Sequence, residues 1–308
     1  MDSSFQTSPS DALVAMSNAL AGIVERVGAS TFAVLGRRGH AIASAVLWQP
    51  GVLVSAAHVF RRQPTSVTVV GGDGRSLDAA WLGSDPSTDI AAFRLADDGT
   101  PVAALGDAAS VRAGQIVIAV GRSAQGELNA SHGIVARASG PWQTWLGGSV
   151  DRLIRLDGGL FEGMSGGPVA DARGAVIGIG SAALSRSHGI VLPASTVSRV
   201  LGALLAGGSV GRPYLGIAAQ AVPVPGSAGV EGLLVTALAA DGPASQAGVL
   251  VGDILTGAAG VATGSLQALR AALAAHIGKT VALALMRGGV PAERAIVVGA
   301  WPAGQRAC

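Results

Sequence analysis

Gly163-Met-Ser-Gly-Gly-Pro-Val169 is the stretch on which the reading of this chain turns. A serine hydroxyl is a poor nucleophile at neutral pH. It needs a base within hydrogen-bond reach, and imidazole has a suitable pKa. The glycines around Ser165 suit the same chemistry. Gly163, two residues before the serine, can adopt backbone angles closed to other residues. An oxyanion needs backbone N–H groups converging on one point. The segment Gly163, Met164, Ser165 is therefore expected to form the oxyanion hole, through the N–H groups of Gly163 and Ser165 with Met164 between them. Gly166-Gly167 lets the chain fold tightly behind the nucleophile.

Working towards the N-terminus, Ser55-Ala-Ala-His58 offers the base and Thr88-Asp89-Ile90 the carboxylate that would fix the tautomer of that base. The order His58, Asp89, Ser165 is that of chymotrypsin-type β-barrels, not of subtilisin or the α/β-hydrolases. Each piece alone is commonplace. A histidine in Ala-Ala-His-Val suits a core, and Asp85-Pro-Ser-Thr-Asp89 is turn-like. Their joint occurrence in this order, within strand-rich sequence, is not.

The surrounding sequence favours a mainly β chain. Between residues 31 and 195, short apolar runs such as Ala41–Trp48, Gly51–Ser55, Ser66–Val70, Ile90–Arg94, Pro168–Asp171 and Ala175–Gly180 alternate with Gly- and Asp-rich turns. Residues 10–28 read as an amphipathic helix with Leu13, Met16, Leu20, Ile23, Val24 and Val27 on one stripe. That stripe packs on the next domain, meets another copy of the chain or lies on a membrane surface, the last disfavoured by the few basic residues of the helix. Pro193–Leu205 reads as a second helix. From about residue 211 a mixed unit follows, with strands near 216–219, 232–236, 253–255, 280–287 and 292–298 and a helix over 265–276.

Composition narrows the function classes. The 308 residues are 49% hydrophobic and 13% charged, a folded chain and not a disordered one. A net charge of +2, with no basic run longer than Arg37-Arg38 or Arg61-Arg62, argues against nucleic acid. The single cysteine, Cys308, rules out an internal disulfide. The five histidines (His40, His58, His132, His188, His276) show no ligand spacing, so no metal or other cofactor is expected. No integral membrane segment is expected, because no run of 18 apolar residues occurs. The N-terminus shows no basic n-region of a signal peptide.

With these motifs the chain resembles the HtrA/DegP family of trypsin-like proteases with a C-terminal PDZ domain, over about residues 30–300. The family-like stretches are Leu53-Val-Ser-Ala-Ala-His-Val59, Gly83-Ser-Asp-Pro-Ser-Thr-Asp-Ile-Ala91 and Gly163-Met-Ser-Gly-Gly-Pro-Val169. Asp241-Gly-Pro-Ala-Ser-Gln-Ala-Gly-Val-Leu-Val-Gly-Asp-Ile254 is similar to the PDZ signature of the family. The resemblance implies a chymotrypsin-like double β-barrel followed by a PDZ domain, a mixed α/β sandwich. The expected limits are an N-terminal segment over 1–30, a protease domain over 31–208, a PDZ domain over 211–300 and a tail over 301–308. It also implies an ATP-independent endopeptidase of unfolded or damaged proteins, a homotrimer, and a periplasmic or envelope address. Tyr214, Leu215, Gly216 and Ile217 look like the PDZ loop that receives a peptide carboxylate. By alignment, Leu160 and His188 would line the primary specificity pocket.

The chain departs from the family in its oxyanion loop. Met164 stands where the family has Asn, and Phe161-Glu162 where it has Asn-Pro. These departures motivate a competing reading, a peptide-binding chaperone or stress sensor whose protease domain stays inactive until activated. A small-ester hydrolase fits less well, since the order of the three residues is not that of the lipase fold.

Overall fold

Strand β2 (Ala41–Gln49) is buried along 43–48 on both faces. Ala43, Ala45 and Leu47 enter one apolar core, together with Phe32, Val34, Leu53, Val69 and Phe93. Val46 and Trp48 enter another, with Ile118, Val120, Ile179 and Leu192. A strand covered on both sides reads as a continuous apolar run and not an alternating one. That accounts for Ala43-Ser-Ala-Val-Leu-Trp48, in which Ser44 is the one polar residue.

The computed structural model describes residues 9–300 apart from 61, 97–98, 208–212, 228 and 274–275. The terminal segment 301–308, with Cys308, lies outside the described residues. The chain divides into two compact units, Met1–Val210 and Gly211–Cys308.

In the first unit, β1 (Thr31–Leu35), β2, β3 (Val52–Ala56), β4 (Ser66–Val70), β5 (Ser76–Asp85) and β6 (Ile90–Arg94) close a barrel in the order β1-β2-β3-β6-β5-β4. A second barrel is built from β7 (Ile116–Arg122), β8 (Leu128–Ser139), β11 (Leu153–Leu156), β12 (Pro168–Asp171), β13 (Val176–Ser181) and β14 (Ile190–Pro193). It closes in the order β11-β14-β13-β12-β7-β8. A small hairpin, β9 (Trp142–Gln143) and β10 (Ser149–Val150), rises between β8 and β11. The expected double barrel is thus present. Its shared apolar layer is closed from outside by α1 (Pro9–Gly28) and α2 (Ala194–Gly207), through Ile23, Val27, Val197, Val200, Leu201 and Leu204. The stripe of α1 packs only in its second half. Leu13 and Met16 are 64% and 51% exposed, because the helix runs past the end of the core it covers.

In the second unit, β16 (Ile217–Pro223), β17 (Glu231–Leu238), β18 (Ile254–Ala258), β20 (Thr280–Arg287) and β21 (Val290–Val297) line up in that order, and β19 (Val261–Ala262) pairs with β18. Strands β15 (Pro213–Tyr214) and β22 (Gly299–Ala300) pair separately. Helices α3 (Pro243–Gln246) and α4 (Leu266–Leu273) complete the unit. Its core gathers Leu233, Val235, Leu255, Leu269, Leu283 and Ile296. The Gly252-Asp253 pair of the signature acts here as a brace. Arg287 donates from Nε and Nη2 to the two Asp253 carboxylate oxygens, each at 2.8 Å, and Leu250 N–H donates to Oδ2. The Arg287 guanidinium holds the Asp253 carboxyl below the usual carboxylate range, against the opposing effect of burial. Among the described residues, no helix is long and apolar enough to cross a membrane.

Candidate active site

His58 lies in a short 3-10 turn, Ala57–Val59, directly after β3. Its main-chain N–H donates to Asp89 Oδ1 at 2.7 Å. Its ring Nδ1 is 3.0 Å from Oδ1 and 2.9 Å from Oδ2 of the same carboxylate. A carboxylate only accepts, so this contact assigns the proton of a neutral ring to Nδ1 and leaves the Nε2 lone pair able to accept. The Asp89 side chain is 4% exposed and the His58 ring 32%, a buried orienting group beneath an accessible imidazole. Ser181 Oγ, at the end of β13, donates to Asp89 Oδ2 at 2.5 Å.

Asp89 adopts φ +62°, a left-handed conformation that Asp and Asn enter more readily than other non-glycine residues. The turn before it is built by Asp85, whose carboxylate accepts from Ser87 N–H at 2.9 Å, Ser87 Oγ at 2.5 Å and Thr88 Oγ1 at 2.6 Å. The β9–β10 hairpin is fastened to this turn. Thr144 Oγ1 donates to the Ser87 carbonyl at 2.6 Å, and a Cβ at Gly148 would overlap the Ser87 backbone.

Ser165 comes from the second barrel, in the loop between β11 and β12, and is 6% exposed. Gly166 follows it at φ +83°. A Cβ at Gly166 would run into Ser55 Oγ, Ala56 N and the Ser44 carbonyl, so only glycine lets this loop lie against the end of β3 that carries His58. The segments that carry the three residues singled out in the sequence therefore come together where the barrels meet. His58 makes its side-chain hydrogen bonds to Asp89, and among the described residues none joins it to Ser165 Oγ. Such bonds are often long in a resting enzyme and tighten with substrate.

Of the expected oxyanion residues, Gly163 takes φ +80°. Among the described residues the N–H groups of Gly163 and Ser165 donate to no protein acceptor, as a hole requires. Met164 differs. Its N–H donates to the Phe161 carbonyl at 3.1 Å, and its side chain is buried in the core of the second barrel with Val117, Ala119 and Val169. Met164 therefore contributes an anchor and not a donor, because the turn that points its neighbours outward points its own N–H inward. Phe161 is 68% exposed. A cavity of about 440 Å³ opens beside Gly163, lined also by Arg38, His40, Gln125, Asn129 and Glu162.

Leu160 lies against Gly180 and Gly189, where an added Cβ would meet its side chain at 2.7 and 3.1 Å. His188, next to Gly189, is half-buried, with ring Nδ1 2.8 Å from Ser187 Oγ. In the second unit, β16 is an edge strand with α4 beside it. The Leu215 and Gly216 carbonyls accept from Ala244 and Ala239 N–H, each at 2.8 Å. Carbonyl and following N–H point in opposite directions across a peptide plane, so the Gly216 and Ile217 N–H groups face away from those partners. Gly216 has φ +73°. Leu215 is buried, Ile217 is half-buried, and Tyr214 pairs with Gly299. Three residues escape a motif-based reading. Ser181 and Arg122 lie in strands with no local signature, and Ser44 in Ala43-Ser-Ala45, where the family has Gly-Ser-Gly; only the folded chain reveals their partners.

Comparison with known proteins agrees with this architecture. A model of the trypsin-like peptidase domain matches residues 43–179, and one of the PDZ domain matches residues 234–287. The chain is 33% identical over 271 residues to the Probable periplasmic serine endoprotease DegP-like of Brucella suis biovar 1, covering 83% of this chain and 52% of that protein. It is 31% identical over 240 residues to the Serine protease Do-like HtrA of Bacillus subtilis, covering 70% and 54%. The chain spans about half the length of these curated relatives. Among solved structures, the HtrA-type protease AlgW with decapeptide matches with a TM-score of 0.74 at 23% identity, over 92% of this chain and 99% of that one. The serine endoprotease from Yersinia pestis matches with a TM-score of 0.73 at 23% identity, over 92% and 98%. Those two likenesses are of fold, whereas the family models and curated relatives share sequence with this chain; on that basis the chain belongs to the HtrA/DegP family of trypsin-like serine proteases with a C-terminal PDZ domain.

Proposed function

We propose that this chain is an ATP-independent serine endopeptidase that cleaves unfolded or damaged proteins by acyl-enzyme chemistry. The observation that carries the reading is the His58–Asp89 pair at 2.9 Å, together with the Ser165 loop, in which the Gly163 and Ser165 N–H groups have no protein acceptor among the described residues. In this reading Ser165 Oγ attacks the scissile carbonyl as His58 Nε2 takes its proton. Asp89 stabilises the imidazolium that forms, and the Gly163 and Ser165 N–H groups receive the oxyanion. His58 then protonates the leaving amine, and water repeats the sequence on the acyl-enzyme. Leu160 and His188 border the primary specificity pocket. Residues 31–208 form the catalytic domain and 211–300 the PDZ domain. There a peptide adds as a strand to β16, with its carboxylate at the Gly216 and Ile217 N–H groups. A homotrimer is part of the same proposal.

One observation favours the second reading, a peptide-binding sensor idle until activated: among the described residues no hydrogen bond joins Ser165 to His58. Digestion of reduced casein by wild type and Ser165→Ala, with and without a peptide ending in hydrophobic residues, separates the two. Cleavage by wild type alone, without peptide, supports the endopeptidase. Cleavage only with peptide supports the activated form. Equal cleavage by Ser165→Ala would exclude Ser165 as nucleophile.

A further inference from the structure

The loop that presents Ser165 is gripped by one fully buried side chain of the other barrel. Ser44 is 0% exposed and uses all of its polar groups. Its N–H donates to the Ser165 carbonyl at 3.0 Å, and its Oγ donates to the Gly163 carbonyl at 2.8 Å. Its Oγ accepts from Arg122 N–H at 3.1 Å, and its carbonyl accepts from Ser55 Oγ at 2.7 Å. The residues whose carbonyls it holds are those whose N–H groups would receive the oxyanion.

Peptide planarity makes this grip informative. With the Gly163 carbonyl held by Ser44, the Met164 N–H at the other end of that plane points to Phe161, as observed at 3.1 Å. The next plane is held by Gly167 N–H on the Met164 carbonyl at 3.0 Å, which turns the Ser165 N–H outward. The plane that carries the Gly163 N–H is different. Among the described residues no hydrogen bond holds its carbonyl, that of Glu162. Gly163 is free of Cβ hindrance and sits at φ +80°. The direction of its N–H is therefore set from the far side of Gly163, by the Ser44 bond to its carbonyl.

Arg122 fixes Ser44 in turn. It is 4% exposed, and its guanidinium donates to the Thr31 carbonyl at 2.6 Å, to the Gly28 carbonyl at the end of α1 at 2.5 Å, and to the Gly126 carbonyl. Those bonds hold the end of β7 where its main-chain N–H meets the Ser44 hydroxyl.

We propose that Ser44 is a positioning residue of the proposed peptidase, whose hydroxyl holds the Gly163 N–H in register with the developing oxyanion. The inference rests on the endopeptidase reading and deepens it. Loss of the bond frees the Gly163 plane to turn, so the cost falls on the transition state and not on substrate binding.

The test uses full-length wild type, Ser44→Ala and Ser44→Cys, each normalised by active-site titration with a peptidyl phosphonate and checked for melting temperature. For Ser44→Ala the expected result is a fall in kcat of about tenfold or more with KM within about twofold. The affinity for a peptide boronate should weaken in parallel, and that for the cleaved product peptide should not. Ser44→Cys keeps a weak donor at similar size and should fall between the two, which covers the case in which Ser44→Ala does not fold. If either folded variant, at its titrated concentration, turns over at the wild-type rate, or loses boronate and product affinity equally, the positioning role is wrong. If wild type itself shows neither turnover nor phosphonate labelling, the endopeptidase reading fails and the role of Ser44 in it falls too.

Discussion

The Ser181 hydroxyl donates to Asp89 Oδ2 at 2.5 Å, on the oxygen that also lies 2.9 Å from the His58 ring. The second barrel thus holds the carboxylate that orients the His58 ring of the first. Removal of the hydroxyl leaves the carboxylate on donors from the His58 side alone and lets it swing.

Ser181→Ala is expected to lower kcat by about tenfold with little change in KM, the scale of one charge-assisted hydrogen bond. Steady-state hydrolysis of a peptide substrate measures it. An unchanged kcat would show that the His58 contacts alone suffice to hold Asp89.

Met164 marks where this chain leaves its family, and its burial states the consequence. Met164→Asn puts an amide into the apolar core of the second barrel, beside Val169 and Ile177. A loss of about 2 kcal/mol or more follows from burying an amide with poor partners. Met164→Leu keeps the volume and should cost less than about 1.5 kcal/mol. Urea unfolding of the two variants gives the comparison. Equal midpoints would mean that the Met164 site is more polar or open than its surroundings indicate.

Asp253 carries a pH dependence with a definite sign. Its carboxyl is held below the usual range by Arg287, so in the folded state it stays ionised where the unfolded chain would bind a proton. The stability it contributes is full above about pH 4, the ordinary carboxylate value, and is lost as pH falls through its lowered folded value. Asp253→Asn should destabilise the second unit by about 2 kcal/mol at neutral pH. The gap to wild type should close below about pH 4. Denaturation midpoints across pH 2–8, a range bracketing the carboxylates, check this, and a gap that persists in acid would assign the loss to shape and not charge.

Gly216 holds the proposed carboxylate loop in a backbone conformation that a side chain disfavours. It has φ +73°, and a Cβ there would meet Gly242 Cα at 3.0 Å. Gly216→Val should weaken binding of a labelled peptide with a hydrophobic C-terminus by about tenfold or more, with the protease rate on a short substrate unchanged. Fluorescence anisotropy reads the first and a peptide assay the second.

Much of this could be read from the chain before it was folded, for reasons that differ by element. Strands buried on both faces, such as β3 and β6, announce themselves as apolar runs. Strand β8, Leu-Asn-Ala-Ser-His-Gly-Ile-Val-Ala-Arg-Ala-Ser, does not. One of its faces is largely exposed and it holds few β-formers, so its place comes from pairing with β7 and β11. Similarly β5 begins in polar residues and is set by β4 and β6. In the candidate site, His58, Asp89 and Ser165 could be singled out because the proposed chemistry demands particular residue types in a set order. Ser44 and Ser181 were not, since a buried serine in a strand is ordinary until its partner is known. The inward turn of the Met164 N–H was not legible either, because spacing along a loop does not say which peptide planes face outward.

The double-sided burial of β2 also bears on when, during synthesis, the proposed site can be assembled. Val46 and Trp48 find their partners only after Ile118, Val120, Ile179 and Leu192 have been synthesised and docked. A chain emerging from the ribosome carries His58 and Asp89 long before Ser165, Ser181 and the second half of that layer. A nascent molecule thus holds an incomplete set of the proposed catalytic residues. In the proposed peptidase, the set of site residues is therefore complete only once the two barrels have closed on one another.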